Sequence, residues 1–220
     1  LEQDRRDLEG SLRMTSWPPD LVPPPRSEPL LLPWPAPGRP GGFIQFDDAE
    51  QWRAFVASLA LDPLIPQIVQ AKYARAQKLY LLGWIDLDLV KAGELVALTA
   101  LELALNDRYG ADVKPLPRKR LDPSTALMAT PPRRSFNALL KDMVTKDGLT
   151  DGQIPMIARC GGTAIGQLTG ETKPTLADRR NALAHGDPFD GLPTGGLLEL
   201  VRDLIGFAYR HYLAEVGQAR

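Results

Sequence analysis

Residues 174–188 read Pro-Thr-Leu-Ala-Asp-Arg-Arg-Asn-Ala-Leu-Ala-His-Gly-Asp-Pro. They bring an arginine pair, an amide and one of only two histidines into a single short segment. At about 100° per residue, Leu176, Ala177, Leu183 and Ala184 form one apolar face of a helix, and Arg180 points into its middle. A guanidinium cannot be buried neutral, so Arg180 at that position calls for an anion or another set of acceptors. Gly186 and Pro188 are stop signals, which puts His185 at the last helical position. Imidazole, with an ordinary pKa of ~6.5, suits a general acid or a general base near neutral pH. Five positions separate Arg180 from His185, about 140° within a regular helix, and a helix end makes their convergence on one cleft easier. The alternative is a structural helix-end network in which Arg180 binds carbonyls or Glu102 and His185 caps the helix.

Other candidates are fewer. His211 lies in Tyr209-Arg210-His211-Tyr212 and reads as a surface or packing histidine. Cys160 is the single cysteine, which excludes a disulfide within the chain and a cysteine-rich zinc site, and nothing near it suggests thiolate activation. Lys114, Arg118, Lys119, Arg120, Arg133 and Arg134 form one concentrated basic stretch among five prolines, opposed only by Asp112 and Asp122. It reads as a solvated loop or as a loop that contacts phosphates. The glycines at 161, 162, 166 and 170 are not followed by Lys-Ser or Lys-Thr and do not make a phosphate loop.

The elements that must position these residues follow from periodicity. Trp52, Phe55, Val56 and Leu59 make a helical stripe, with Asp47 or Asp48 as N-cap. Further helices are expected from about Pro66 to Trp84 and from about Asp86 to Tyr109. In the latter, only Thr99 and Glu102 are polar between Leu95 and Leu105, which marks a central buried helix. Lys91, Glu94, Glu102 and Asn106 form its narrow polar stripe. Phe136, Leu139, Leu140 and Met143 mark another helix; 150–171 is treated as a connector in which Ile154 to Ala158 could start a short helix, and two more helices are expected at about 174–184 and 197–214. No alternating run argues for a sheet, so the expected class is all-α, a helical bundle with up-down connections.

Ten of the 21 prolines fall between Trp17 and Pro40. Such a stretch excludes helix and central strand, but Trp17, Leu30, Leu31, Leu32 and Trp34 are too apolar for a polar tail. It reads as an extended arm across the domain or a partner subunit, with a flexible linker as the bland alternative. The expected division is an arm over 1–42 and a helical domain over 43–220. Met14 offers a start, so residues 1–13 are left out of the fold argument as a fragment or an added leader.

The chain has 220 residues, 26 Lys+Arg against 27 Asp+Glu, and a net charge of -1. That is enough chain for a real core and too little positive charge for a general polyanion binder. No apolar run reaches the ~18–20 residues of a membrane span, and residues 1–10 are too charged for a secretory signal. A cytoplasmic setting is the default, and Ala-, Arg-, Pro- and Gly-rich usage suggests a bacterial source.

Arg180-Asn181-Ala182-Leu183-Ala184-His185 resembles the Arg-x4-6-His motif of the HEPN superfamily. Asn181 supplies the polar residue typical after the Arg, and the small apolar residues and Gly186 are typical around the His. A long buried helix at 87–109 and one helix after the motif extend the likeness over 66–216. The resemblance implies a HEPN-like all-α bundle and metal-independent endoribonuclease activity in a toxin or phage-defence setting, without cofactor. It also implies a homodimer with a composite active site, an RNA substrate, a protein antitoxin or regulator, and no membrane. Arg180, His185 and Asn181 are then the catalytic set, Glu102 supports them, and Arg179, Arg118, Lys119, Arg120, Arg133 and Arg134 contact RNA. The two-fold axis would pair His185 with its mate, since one motif histidine per chain is too few for an acid and a base. Some superfamily members keep the fold for nucleotide or protein binding, which is the competing expectation. In toxins regulated by a nucleotidyltransferase, a Tyr follows two residues after the His, and here that position is Asp187.

Overall fold

The computed structural model describes residues 16–18, 21–110, 134–186 and 191–218. Among them are two short strands, β1 (Leu30–Pro33) and β2 (Phe43–Phe46). Eight helices follow: α1 (Ala49–Ser58), α2 (Gln67–Leu82), α3 (Asp88–Tyr109), α4 (Phe136–Thr145), α5 (Pro155–Cys160), α6 (Ile165–Thr169), α7 (Leu176–His185) and α8 (Leu197–Gln218). A 3-10 turn, Asp151–Gln153, precedes α5.

The class is mainly α, as expected, with one short strand pair that the sequence did not signal. β1 and β2 are antiparallel, with Leu30 opposite Phe46 and Pro33 opposite Phe43. Each has only one neighbour, so Pro33 sits on an edge, where a missing amide donor is tolerated. Alternation was invisible because the outward face is apolar too: Leu31 and Phe43 are exposed while Leu30, Leu32 and Phe46 are buried. The expected boundary at 42/43 falls inside this hairpin. Trp34 follows β1 into the core, where its Nε1 donates to Glu199 Oε2 at 2.9 Å. Upstream, Pro24 accepts from Trp84 Nε1 at 2.9 Å and Arg26 donates to the Trp84 carbonyl at 2.8 Å, which ties the proline-rich stretch to the chain between α2 and α3.

Side-chain caps explain several helix starts. Asp48 caps α1 by accepting from the amides of Glu50 and Gln51 at 2.9 and 2.8 Å. Ser135 caps α4 through the amide of Ala138. Asp151 accepts from the amides of Ala164 and Ile165, which satisfies the start of α6. α3 is the central helix and packs against α2, α4, α7 and α8. Its Ala97, Leu98, Ala100, Leu101, Ala104 and Leu105 are fully buried, and each such leucine contributes about 1.5–3 kcal/mol. Trp52 anchors α1 to the same core, its Nε1 donating to the carbonyls of Tyr80 and Leu81. Among the described residues no helix is long and apolar enough to cross a membrane.

Candidate functional site

Helix α7 is built to start firmly and to end in solvent. Thr175 Oγ1 accepts from the Asp178 amide at 2.9 Å, and Asp178 returns the bond by accepting from the Thr175 amide at 3.0 Å. Lys173 donates to the same carboxylate at 2.8 Å, and with the Thr175 bonds it pulls the Asp178 carboxyl down to about 2. Leu176 and Ala177 bury this first turn. At the other end, Gly186 takes φ +69, a left-handed conformation that closes the helix on the Ala182 carbonyl. His185 is the last helical residue and is exposed, as are Ala184 and Asn181.

The expected apolar face is therefore only half real. Leu183 packs against the core as a half-buried residue, while Ala184 faces solvent. Arg180 does not enter a buried face. It stands at the rim with its side chain 32% exposed, its Nη2 2.7 Å from Glu102 Oε2 on α3. Its Nη1 donates to Asn181 Oδ1 at 3.1 Å. The third donor, Nε, is shielded from solvent and has no acceptor. Arg180, Asn181 and Glu102 thus meet in one place, and His185 ends the same helix.

Arg179, expected among the RNA contacts, carries a second link. Its Nη1 donates to Thr194 Oγ1 at 3.3 Å, and its Nε is also shielded without an acceptor. The Thr194 amide donates to Glu94 Oε1 on α3. Glu94 is 3% exposed, so burial pushes its carboxyl up to about 7. The Thr194 amide and the charges of Arg179 and Lys91 pull it back. Sequence reasoning missed Glu94 and Thr194 as parts of this region. Glu94 had been set on the polar stripe of α3, and nothing local distinguishes it there from the half-buried Glu102.

The basic stretch contributes less than its composition suggests. Arg118, Lys119, Arg120 and Arg133 lie outside the described residues. Arg134 is tied to Asp142 on α4, with its Nη1 shielded and without an acceptor. His211 is exposed on α8. Cys160 is a buried free thiol.

A second concentration of charge lies along α8. Glu199 and Asp203 are buried at 2% and 7% exposure. Glu199 accepts from Trp34, Arg159 and Arg202, and Asp203 accepts from Arg202 and from the Met156 amide at the start of α5. Arg202, Asp203, Gly206 and Phe207 also line a cleft of about 460 Å³ with Ile65 and Pro155. No residue of α7 reaches that cleft. Among the described residues no group of three or more His, Cys, Asp or Glu side chains could hold a metal ion. Compared with family models, curated proteins and solved structures, the chain matches none, so its functional reading rests on the residues themselves.

Proposed function

We propose that this chain is a metal-independent endoribonuclease of HEPN type acting on single-stranded RNA, in a toxin or phage-defence role. The observation that carries the reading is the solvent-facing half of α7. An arginine with an unpartnered shielded donor and an exposed histidine stand on one short, firmly capped helix.

In this reading the RNA 2′-hydroxyl attacks the adjacent phosphorus and the 5′-oxygen leaves, giving a 2′,3′-cyclic phosphate and a 5′-hydroxyl end. One imidazole accepts the proton of the attacking hydroxyl and another protonates the leaving oxygen. Each chain supplies one His185, so the working site is composite and belongs to a homodimer. Arg180 stabilises the extra negative charge on the pentavalent phosphate through donors aimed at its oxygens. Glu102 holds the guanidinium in one orientation, and Asn181 steadies it from the other side. Arg179 and the basic residues 118–120 and 133–134 add phosphate contacts. DNA lacks the attacking hydroxyl and stays intact.

A second reading draws on the Arg180–Glu102 pair. An arginine already neutralised within its own protomer suits a non-catalytic module that binds a nucleotide or a protein carboxylate without turnover. The test is incubation with a fluorescent single-stranded RNA in the presence of EDTA. The enzyme reading expects cyclic-phosphate ends, a loss of about 10²-fold or more in His185→Ala, and no cutting of DNA of the same sequence. Cleavage that survives His185→Ala, or RNA bound but never cut, overturns it in favour of the second reading.

A further inference from the structure

Ten residues make a helix that is marginal by itself, so what holds α7 in place matters for anything its end does. Its first turn is held by burial and by the Thr175–Asp178 capping box. Beyond that turn the helix has little burial, and its ties are polar. Arg180 reaches Glu102, and Arg179 reaches Thr194, whose amide is held by Glu94. Glu94 and Glu102 are two turns apart on α3, roughly 12 Å along its axis. Consecutive arginines of α7 are therefore anchored at two levels of the central helix, one directly and one through Thr194.

The Thr194 segment is itself wedged. Gly196 has φ +70, and a Cβ there would lie 2.7 Å from Pro35 Cδ and 2.9 Å from Met156 Sδ. Only glycine passes between the hairpin exit and α5 at that point. The backbone at 194–196 is thus fixed by the hairpin side on one flank and by Glu94 on the other. Glu94 is an expensive anchor, because a carboxylate 97% buried gives up its hydration for the amide and side-chain bonds of Thr194 and the nearby charges of Arg179 and Lys91.

We propose that Glu94 is a positioning residue for the α7 site: by holding Thr194 it fixes Arg179 and the helix end that carries Arg180 and His185. The inference rests on the cleavage reading, and its effect is one of geometry. Displacement of reacting groups by about 1 Å costs on the order of 10²-fold in rate, with little change in ground-state binding.

The test uses the full chain in four forms: wild type, Glu94→Ala, Glu94→Gln and Thr194→Val. In Glu94→Ala, kcat for RNA cleavage should fall about tenfold to 100-fold with KM within about twofold. Amide exchange at 194 and over 179–185 should quicken at least about tenfold. Glu94→Gln keeps an acceptor for the Thr194 amide and should restore protection and most of kcat. Thr194→Val removes the Arg179 acceptor together with the hydroxyl's own bond to Glu94, while keeping the Thr194 amide bond, and should cost about threefold in kcat, which serves if Glu94→Ala fails to fold. Asp147→Ala, which breaks the distant Asp147–Arg210 contact, controls for general destabilisation. The proposal is overturned if that control lowers kcat as much as Glu94→Ala, or if exchange at 194 and over 179–185 is unchanged. If wild type cuts no RNA, the cleavage reading fails on its own. Exchange then decides the anchor: acceleration confined to 194 and 179–185 upholds it, and no acceleration ends it.

Discussion

The α8 charges and the α7 charges are built from the same residue types and end differently. On α8, every carboxylate oxygen of Glu199 and Asp203 has a donor: Trp34, Arg159, Arg202 or the Met156 amide. On α7, Arg179 and Arg180 each keep a shielded Nε with no acceptor. A saturated buried network joins elements together, here the hairpin exit, α5 and α8. A network with spare donors at a half-exposed rim has capacity for oxygens that the chain does not supply. The α8 network also borders the cleft lined by Ile65 and Pro155, whereas no residue of α7 does.

Breaking the α8 side should have the largest effect on stability. Glu199→Ala leaves Arg159, Arg202 and Trp34 without their shared acceptor and should cost about 3–5 kcal/mol in urea unfolding. A loss under about 1 kcal/mol would show that the α8 network is not the anchor described here.

Glu94 gives the next effect, and its sign is fixed. Its folded carboxyl is raised by burial to about 7, above the ordinary value near 4.3, so the folded state binds the proton more tightly. Stability from this group is full below about pH 4.5 and is lost as pH rises towards 7, by roughly 3–4 kcal/mol. Glu94→Gln should flatten that slope and raise Tm at pH 8. A pH–stability curve identical to wild type would refute the buried-carboxylate assignment.

Thr175→Ala removes the α7 cap and should cost about 1 kcal/mol by denaturant titration, with cleavage reduced further because the site helix frays. Arg180→Ala separates the two regions most sharply. It breaks a part-exposed pair, so stability should change by about 0–1 kcal/mol while cleavage falls about 10²-fold. His211→Ala should be the mildest, within about 0.5 kcal/mol and with unchanged cleavage. A cleavage defect there would move the proposed chemistry off α7.

Much of this molecule is local and was readable as such. Asp48, Thr175 and Gly186 mark helix ends through bonds to residues at most four positions away. The apolar run of α3 told of a helix with neighbours on most sides, and α2, α4, α7 and α8 are those neighbours. The Arg180-to-His185 spacing was visible as a motif, and Glu102 was visible as a possible partner for Arg180.

Most of what needed a partner across the fold was not readable. Leu30–Pro33 forms a strand because Phe43–Phe46 lies beside it, and its leucines alternate in burial but not in polarity. Arg180 lies at a rim, part-exposed against Glu102 of α3, which helical periodicity cannot report. Glu94 and Glu102 sit two turns apart on one helix and look alike in sequence. One is buried under Thr194 and the other meets Arg180 in half-solvent, because the 191–196 segment passes over only one of them. Periodicity and capping follow from backbone geometry over a few residues, so the sequence alone determined the longer helices and their caps, but not α5 and α6, which lie in what reads as a connector. Burial and charge pairing depend on which segments lie next to each other, so the tertiary structure alone decided which charges became architecture and which were left with unpartnered donors.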